Sequence, residues 1–272
     1  MPILNKDMTL CISLSGRPSN IGTRFHNYLY DALGLNYIYK AFSTDDLPAA
    51  IAGVRGLGIR GCAVSMPFKE AVIPLVDELD ASASAIESIN TIVNTDGRLV
   101  AYNTDYLAIQ RLLEAHGVAP CSVLVRGSGG MAKAVVAALR DAGFQTGTVL
   151  ARNAAAGQAL AAHYGWRATD DESAAHAELI VNVTPLGMAG GPGAEEQSFS
   201  DAAIAAASVV WDVVALPSET PLIRAARAAG KPVITGAEVI AIQAEEQFAL
   251  YTGVRPSPEL VAEASAFSLR QD

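Results

Sequence analysis

Apolar residues along this chain fall into short runs that alternate with stretches of helical spacing, and Gly, Pro or Asp-Gly marks most of the breaks. Thr9 to Leu14 reads as a buried strand, followed by a polar loop from Ser15 to Gly22. Arg24 to Leu33 carries apolar residues at helical spacing and runs into Gly34, a helix C-cap. Tyr37 to Phe42 predicts a second strand, Leu47 to Gly56 a helix, and Gly61 to Met66 a third strand that Pro67 ends. Glu70 to Leu79 predicts a short helix despite its internal Pro74. Ile89 to Asn94 and Arg98 to Asn103 flank Asp96-Gly97, the strongest hairpin signal in the chain.

The rhythm then changes to regular alternation. Helices are expected over Tyr106–His116, Met131–Asp141, Ala154–Tyr164 and Thr220–Ala229. Strands are expected over Cys121–Arg126, Thr148–Arg152, Glu178–Val183, Ser208–Val214 and Pro232–Thr235. Such alternation predicts a parallel sheet with right-handed crossovers, hence an α/β fold in two domains with a boundary near residue 104. A last helical stretch, Glu238 to Tyr251, has no strand after it and belongs either to the second domain or, by return of the chain, to the first.

Composition narrows the function classes. The 272 residues suit two domains, and 51% hydrophobic content with 17% charged residues argues for folded structure. A net charge of −9 makes nucleic acid an unsuitable partner, although a local basic site for a phosphorylated small molecule is compatible with it. No run reaches the roughly 20 apolar residues of a membrane span, and the N-terminus lacks a signal-peptide core. Cys11, Cys62 and Cys121 are an odd number without metal-ligand spacing, and the four histidines are scattered. A reduced, cytoplasmic protein without a metal is expected.

Two sets of residues carry chemistry. Arg126 runs into Gly127-Ser128-Gly129-Gly130-Met131-Ala132, a strand–turn–helix setting that suits a dinucleotide pyrophosphate. Gly127 permits the tight turn, the missing Cβ at Gly129 admits the phosphates, and the helix N-terminus stabilises the anion. Arg152, with Asn153 beside it, stands where an NAD site carries an acid, and a guanidinium there pairs with a 2′-phosphate, which favours NADP. Lys69, at a strand's C-terminal end, is a candidate proton donor or acceptor for a hydride-transfer reaction, with the Asp105 carboxylate to orient it. Taken singly, Lys69 reads first as a solvated lysine opening a helix and Asp105 as an N-cap for the helix at Tyr106; only their combination favours the chemistry.

Together these motifs resemble the shikimate dehydrogenase family, and more narrowly its shikimate dehydrogenase-like branch. Gly61-Cys62-Ala63-Val64-Ser65-Met66-Pro67-Phe68-Lys69 resembles the family's Asn-Val-Thr-x-Pro-x-Lys segment, and Ser88-Ile89-Asn90-Thr91 its Ala-Val-Asn-Thr. Asn103-Thr104-Asp105 matches Asn-Thr-Asp, the glycine turn resembles Gly-Ala-Gly-Gly, and Asn182-Val183-Thr184-Pro185-Leu186-Gly187-Met188 resembles Asn-Ala-Thr-Pro-x-Gly-Met. Gly236 with Gln243-Ala244 resembles the closing segment. The resemblance implies that Lys69 and Asp105 form the catalytic pair, with Asn90, Asn103 and Gln243 at substrate hydroxyls. Read from residues alone, these three amides are equally turn or helix-face residues, and Thr184 a strand-end residue.

The resemblance also implies a substrate-binding domain of residues 1–104 plus 237–272, completed by the C-terminal helices, and a Rossmann-like NADP-binding domain of residues 105–236. Thr184 and Gly236 would join the turn in holding NADP. The chain departs from the family where two serines ordinarily bind the substrate carboxylate. Asn20 and Gly22 occupy those positions, Thr23 replaces a proline, and the loop is about two residues shorter. Ser15, Ser19, Asn20, Thr23, Arg17 and Arg24 are the groups at hand for a different anion site. Ala63 and Ser65 replace the Asn and Thr of the lysine segment, Tyr106 follows Asp105 where glycine is usual, and Ala215 stands for a common tyrosine. The expectation is an NADP-dependent oxidoreductase, a monomer or homodimer, that interconverts shikimate and 3-dehydroshikimate with weakened or altered substrate recognition. The alternatives are a dehydrogenase of a related cyclic hydroxy-acid (quinate or an aminoshikimate) and a non-catalytic NADP(H)- or metabolite-sensing protein.

Overall fold

In the computed structural model, which describes residues 4–270, β1 (Thr9–Leu14) pairs in parallel with β2 (Tyr37–Phe42) on one side and β3 (Gly61–Val64) on the other. The chain divides into two units, one comprising the residues up to Thr104 together with those from Ala241 onward, the other Asp105–Ile240. In the first unit the sheet continues through β5 (Thr91–Thr95), antiparallel to β3, then β6 (Arg98–Tyr102) and the two-residue β4 (Glu78–Leu79), in the order β2-β1-β3-β5-β6-β4. The β5–β6 hairpin turns at Asp96-Gly97, whose φ values of 52° and 87° are those of a type I′ turn, and Asn94 Oδ1 accepts from Gly97 N at 2.9 Å.

Alternation along β1 sends Ile12 and Leu14 to one face and Cys11 to the other. The first face buries Ile51 and Val54 of α2 (Leu47–Gly56), whose N-cap Asp46 accepts from Ala49 N. The second buries Phe25, Leu29 and Tyr30 of α1 (Asn20–Ala32), Phe248 and Tyr251 of α9 (Gly236–Thr252), and Val261 and Ala264 of α10 (Pro258–Ser268). Tyr251 lies so close over Gly61 that a Cβ there would meet its ring at 2.3 Å.

Two expectations are corrected. Helix α1 begins at Asn20, not Arg24, because Ser19 adopts the extended conformation of an N-cap; Asn20 therefore lies in a helical turn and not in the polar loop expected to reach Gly22. The helix expected over Glu70–Leu79 does not form. Around Pro74, which has no N–H to give, there is a single 3₁₀ turn (Ile73–Leu75), and the chain then extends to pair β4 with β6. The short α3 (Ala81–Ser84) and helix α10 were not anticipated.

In the second unit β7 (Val123–Arg126), β8 (Gly147–Leu150), β9 (Arg167–Thr169), β10 (Leu179–Asn182), β11 (Val209–Asp212) and β12 (Val233–Ile234) form an all-parallel sheet. Its order, β9-β8-β7-β10-β11-β12, is that of a doubly wound Rossmann-like domain, with the switch point between β7 and β10. The helices are α4 (Thr104–Ala115), α5 (Gly130–Asp141), α6 (Ala154–His163), α7 (Asp201–Ala206) and α8 (Pro221–Ala228). Leu124, Leu150, Ile180 and Val210 pack with Phe199, Ile204 and Leu222 in its core.

Candidate functional site

Register gathers much of the polar chemistry of the first unit at one end of its sheet. Leu14 pairs with Val64, and Val64 N donates to Asn90 O at 2.8 Å, so Ser15, Ser65 and Asn90 follow or precede three adjacent strands at the same edge. Thr91 pairs with Tyr102, which places Asn103 beside them. The segment after β3 stays at this edge: Gly16 N donates to Met66 O at 3.0 Å, and Ile89 N donates to the Lys69 carbonyl at 3.0 Å. Lys69 is thus a half-buried residue on a turn whose backbone is fastened next to Asn90.

Asn90 is buried, and its Oδ1 accepts from Thr104 N at 2.8 Å, Thr91 Oγ1 at 2.8 Å and Thr104 Oγ1 at 3.0 Å. Helix α9 joins this network from the C-terminal segment: Gln243 Nε2 donates to Thr104 Oγ1 at 3.0 Å, and Gln247 Nε2 to Thr91 Oγ1 at 2.9 Å and to Asn90 O at 3.2 Å. Gln247 was missed at the sequence level; its position one helical turn beyond Gln243 was the available signal. Asn103, also buried, donates from Nδ2 to Ser88 O at 2.9 Å, and its backbone N–H donates to Ser82 Oγ at 3.1 Å, so part of its amide holds the loop.

The residues weighed for an anion site separate. Ser15 is buried beside Phe42 O, which its N–H meets at 3.2 Å, while Ser65 and Asn20 are exposed. The Thr23 hydroxyl oxygen is shielded from solvent without a hydrogen-bond partner among the described residues. Arg24 turns away to donate to the Arg270 carbonyl at the end of α10. Arg17 stays exposed in the shortened loop.

Asp105 is half-buried in the first turn of α4; it is the second helical residue and not the N-cap. Tyr106, in the family's glycine position, is buried and donates from its hydroxyl to Asp141 at 2.5 Å, which fastens the start of α4 to the end of α5.

At the switch point of the second sheet, Gly127 has φ +127°, and a Cβ there would meet Val183 at 2.8 Å and Thr184 at 3.1 Å. Gly129 and Gly130 are exposed, with nothing within 4 Å of a built Cβ, so the N-terminus of α5 opens on free space as a phosphate cradle requires. Ser128 and Met131 are half-buried along this turn, while Ala132 is wholly buried and packs the helix on the sheet. Arg152 and Asn153 lie exposed just past β8, and Asn153 Oδ1 caps α6 through Ala156 N at 3.1 Å; Arg152 is not the strand's last residue, because β8 ends at Leu150.

A buried carboxylate organises the neighbouring loops. Asp212 Oδ1 accepts from Asn182 Nδ2 and Val214 N, both at 3.0 Å, and its Oδ2 from Thr220 at 2.7 Å. Burial pushes the Asp212 carboxyl above its ordinary value, against the pull of those three donors. Asn182 in turn accepts the Thr184 hydroxyl at 2.6 Å, so that threonine's proton is committed to shaping the turn. At Gly236 a Cβ would strike the backbone of Val214 at 2.3 Å, so only glycine fits this crossing. No group of three metal-ligating side chains, and no helix long and apolar enough to cross a membrane, occurs among the described residues.

Residues 20–92 match the family model described as the shikimate dehydrogenase substrate binding domain. A shikimate dehydrogenase-like protein of Haemophilus influenzae is 58% identical over 267 residues, 98% of each chain. The chain belongs to the shikimate dehydrogenase family, on its shikimate dehydrogenase-like branch. The solved structure of a shikimate 5-dehydrogenase-like protein superposes with a TM-score of 0.96 at 58% identity, covering 98% of this chain and 99% of that one. Shikimate 5-dehydrogenase from Thermus thermophilus, solved in complex with NADP(H) and shikimate, gives a TM-score of 0.86 at 31% identity, covering 96% of this chain and all of that one.

Proposed function

We infer that this protein is an NADP-dependent oxidoreductase that interconverts shikimate and 3-dehydroshikimate. The observation that carries this reading is the sheet end of the first unit, where Ser65, Lys69, Asn90 and Asn103 collect in a chain of this family. The open glycine turn and the exposed Arg152 fit a dinucleotide with a 2′-phosphate. Gly127, Ser128, Gly129, Gly130, Met131 and Ala132 would hold its pyrophosphate, Arg152 and Asn153 its ribose phosphate, and Thr184 and Gly236 border its path. NADP, when bound, accepts or supplies the hydride.

The chain's own residues manage the proton. In oxidation the reacting hydroxyl gives its proton to Lys69 Nζ; in reduction Lys69 returns it to the carbonyl oxygen. Asp105 is the carboxylate that would orient the Lys69 amine, as the family resemblance implies. Asn90, Asn103 and Gln243 orient the remaining hydroxyls. With Asn20 and Gly22 in the serine positions, the family's pair of hydroxyls is lost there, and each missing hydrogen bond costs about 1 kcal/mol. Weaker or redirected recognition follows, with retained chemistry.

The test follows NADPH absorbance with shikimate, quinate and an aminoshikimate at high enzyme concentration. Turnover of shikimate is expected, falling at least about 100-fold in Lys69→Ala and Asp105→Asn. Cofactor binding without turnover of any of the three would reject the enzyme and favour a metabolite sensor.

A further inference from the structure

Hydrogen-bond directions around Asn90 can be assigned because one partner has no choice. The Thr104 backbone N–H only donates, so the Asn90 atom it meets at 2.8 Å is the oxygen. The Thr91 and Thr104 hydroxyls, at 2.8 and 3.0 Å from that same oxygen, must then spend their protons on it. Each hydroxyl is left with lone pairs alone for its other neighbour. Gln247 and Gln243, which meet Thr91 Oγ1 at 2.9 Å and Thr104 Oγ1 at 3.0 Å, must therefore present their nitrogens. The contact of Gln247 with the Asn90 carbonyl at 3.2 Å demands the same orientation independently.

Two groups are left over, and their polarity is opposite. Asn90 is 4% exposed, yet its Nδ2 has no partner among the described residues. With its oxygen fully engaged, this amide keeps two N–H groups to donate to a ligand or water. Gln243 gives one N–H to Thr104, an orientation that leaves its Oε1 as the acceptor it offers a ligand.

We propose that Thr91, Thr104 and Gln247 are positioning residues that lock Asn90 as a donor and Gln243 as an acceptor toward the ligand. The locked pair selects a ligand whose adjoining groups accept from one amide and donate to the other. A neutral hydroxyl can serve at either place, an ammonium cannot accept from Asn90, and an ether or carbonyl cannot donate to Gln243. This deepens the functional reading and rests on it for the ligand's identity. It makes hydroxyl-bearing rings, and not amino-substituted ones, the substrate class at the Asn90 position.

Two readouts test the proposal, the first without any ligand. In ¹⁵N-labelled protein, Thr104→Val should move the Asn90 side-chain amide resonances and speed hydrogen exchange of the Gln243 side-chain amide about tenfold, as expected for a lost hydrogen bond. Thr104→Ser, which keeps the hydroxyl, should restore both. Gln247→Met should perturb Asn90 by the other route, through Thr91, and keeps the question open to test if Thr104→Val fails to fold. In steady-state assays Thr104→Val should raise the KM for shikimate roughly ten- to a hundredfold with kcat changed far less, and Thr104→Ser should recover it. Unmoved Asn90 and Gln243 amides in both Thr104→Val and Gln247→Met would overturn the lock, and altered amides with an unchanged shikimate KM would overturn its role in selection. If the wild type turns over neither shikimate nor quinate, the functional reading fails, and the ligand-free spectra still decide whether the lock exists.

Discussion

Arg152 stands exposed two residues beyond the end of β8, next to an asparagine already engaged in capping α6. A guanidinium in that place has a forked set of donors for a phosphate and nothing comparable for a ribose hydroxyl. Arg152→Ala is therefore expected to weaken NADP⁺ binding roughly ten- to a hundredfold while leaving NAD⁺ binding nearly unchanged. Titration of both nucleotides against wild type and variant checks this, and equal losses would reject the assignment. The same economy of side-chain atoms runs through Thr184, whose hydroxyl is tied to Asn182 and through it to the buried Asp212. Thr184 shapes its turn at the switch point through that bond.

Helix α1 shows what a single element adds. His26 is fully buried on it, donates from Nδ1 to Gly22 O at 2.9 Å, and stacks on Tyr39 at 4.3 Å between centroids. Its Nε2 has no partner among the described residues, and burial pulls its pKa from 6.5 down to about 4. Between those values the unfolded chain takes up a proton that the folded chain refuses. The stabilisation is complete above pH 6.5 and is lost as the pH falls toward about 4, by about 3 kcal/mol. Thermal midpoints measured from pH 7 to 4.5 should fall steeply in wild type and more gently in His26→Phe, which keeps the stacking; parallel curves would show that other groups govern the acid limb.

Elements with strong local signals were legible: β1, β2 and α2 match their expected bounds, and Asp96-Gly97 turns the hairpin. Those that depend on distant partners were not. β4 exists only because β6 lies beside it, and the start of α1 is set by Ser19 rather than by an apolar stripe. α10 did carry a start signal in Ser257-Pro258-Glu259, but its small residues gave little periodic contrast. At the site, Lys69 and Asn90 could be picked out from motifs, whereas the contribution of Gln247 needed the α9 face and the Thr91 hydroxyl together.

For the molecule as a whole, the first unit draws its core from both ends of the chain: α1 packs under α10, and Phe248 and Tyr251 of α9 fill the face behind Cys11 and Gly61. Deleting residues 256–272 would uncover Phe25 and Leu29 and remove Val261 and Ala264, each buried apolar side chain carrying about 1–3 kcal/mol. Hydrogen exchange read by mass spectrometry should then quicken in peptides from residues 9–104 and stay unchanged in peptides from 123–235. Uniform protection across both would show that the last helix is dispensable.

A chain built this way reverses the customary timetable of synthesis. Everything the nucleotide-type sheet requires has been synthesised by Ile240, while the earlier-made six-stranded sheet must wait, partly unclad, for the rest of α9 and for α10. The later half can mature first, and the earlier half closes only once α9 and α10 have been made.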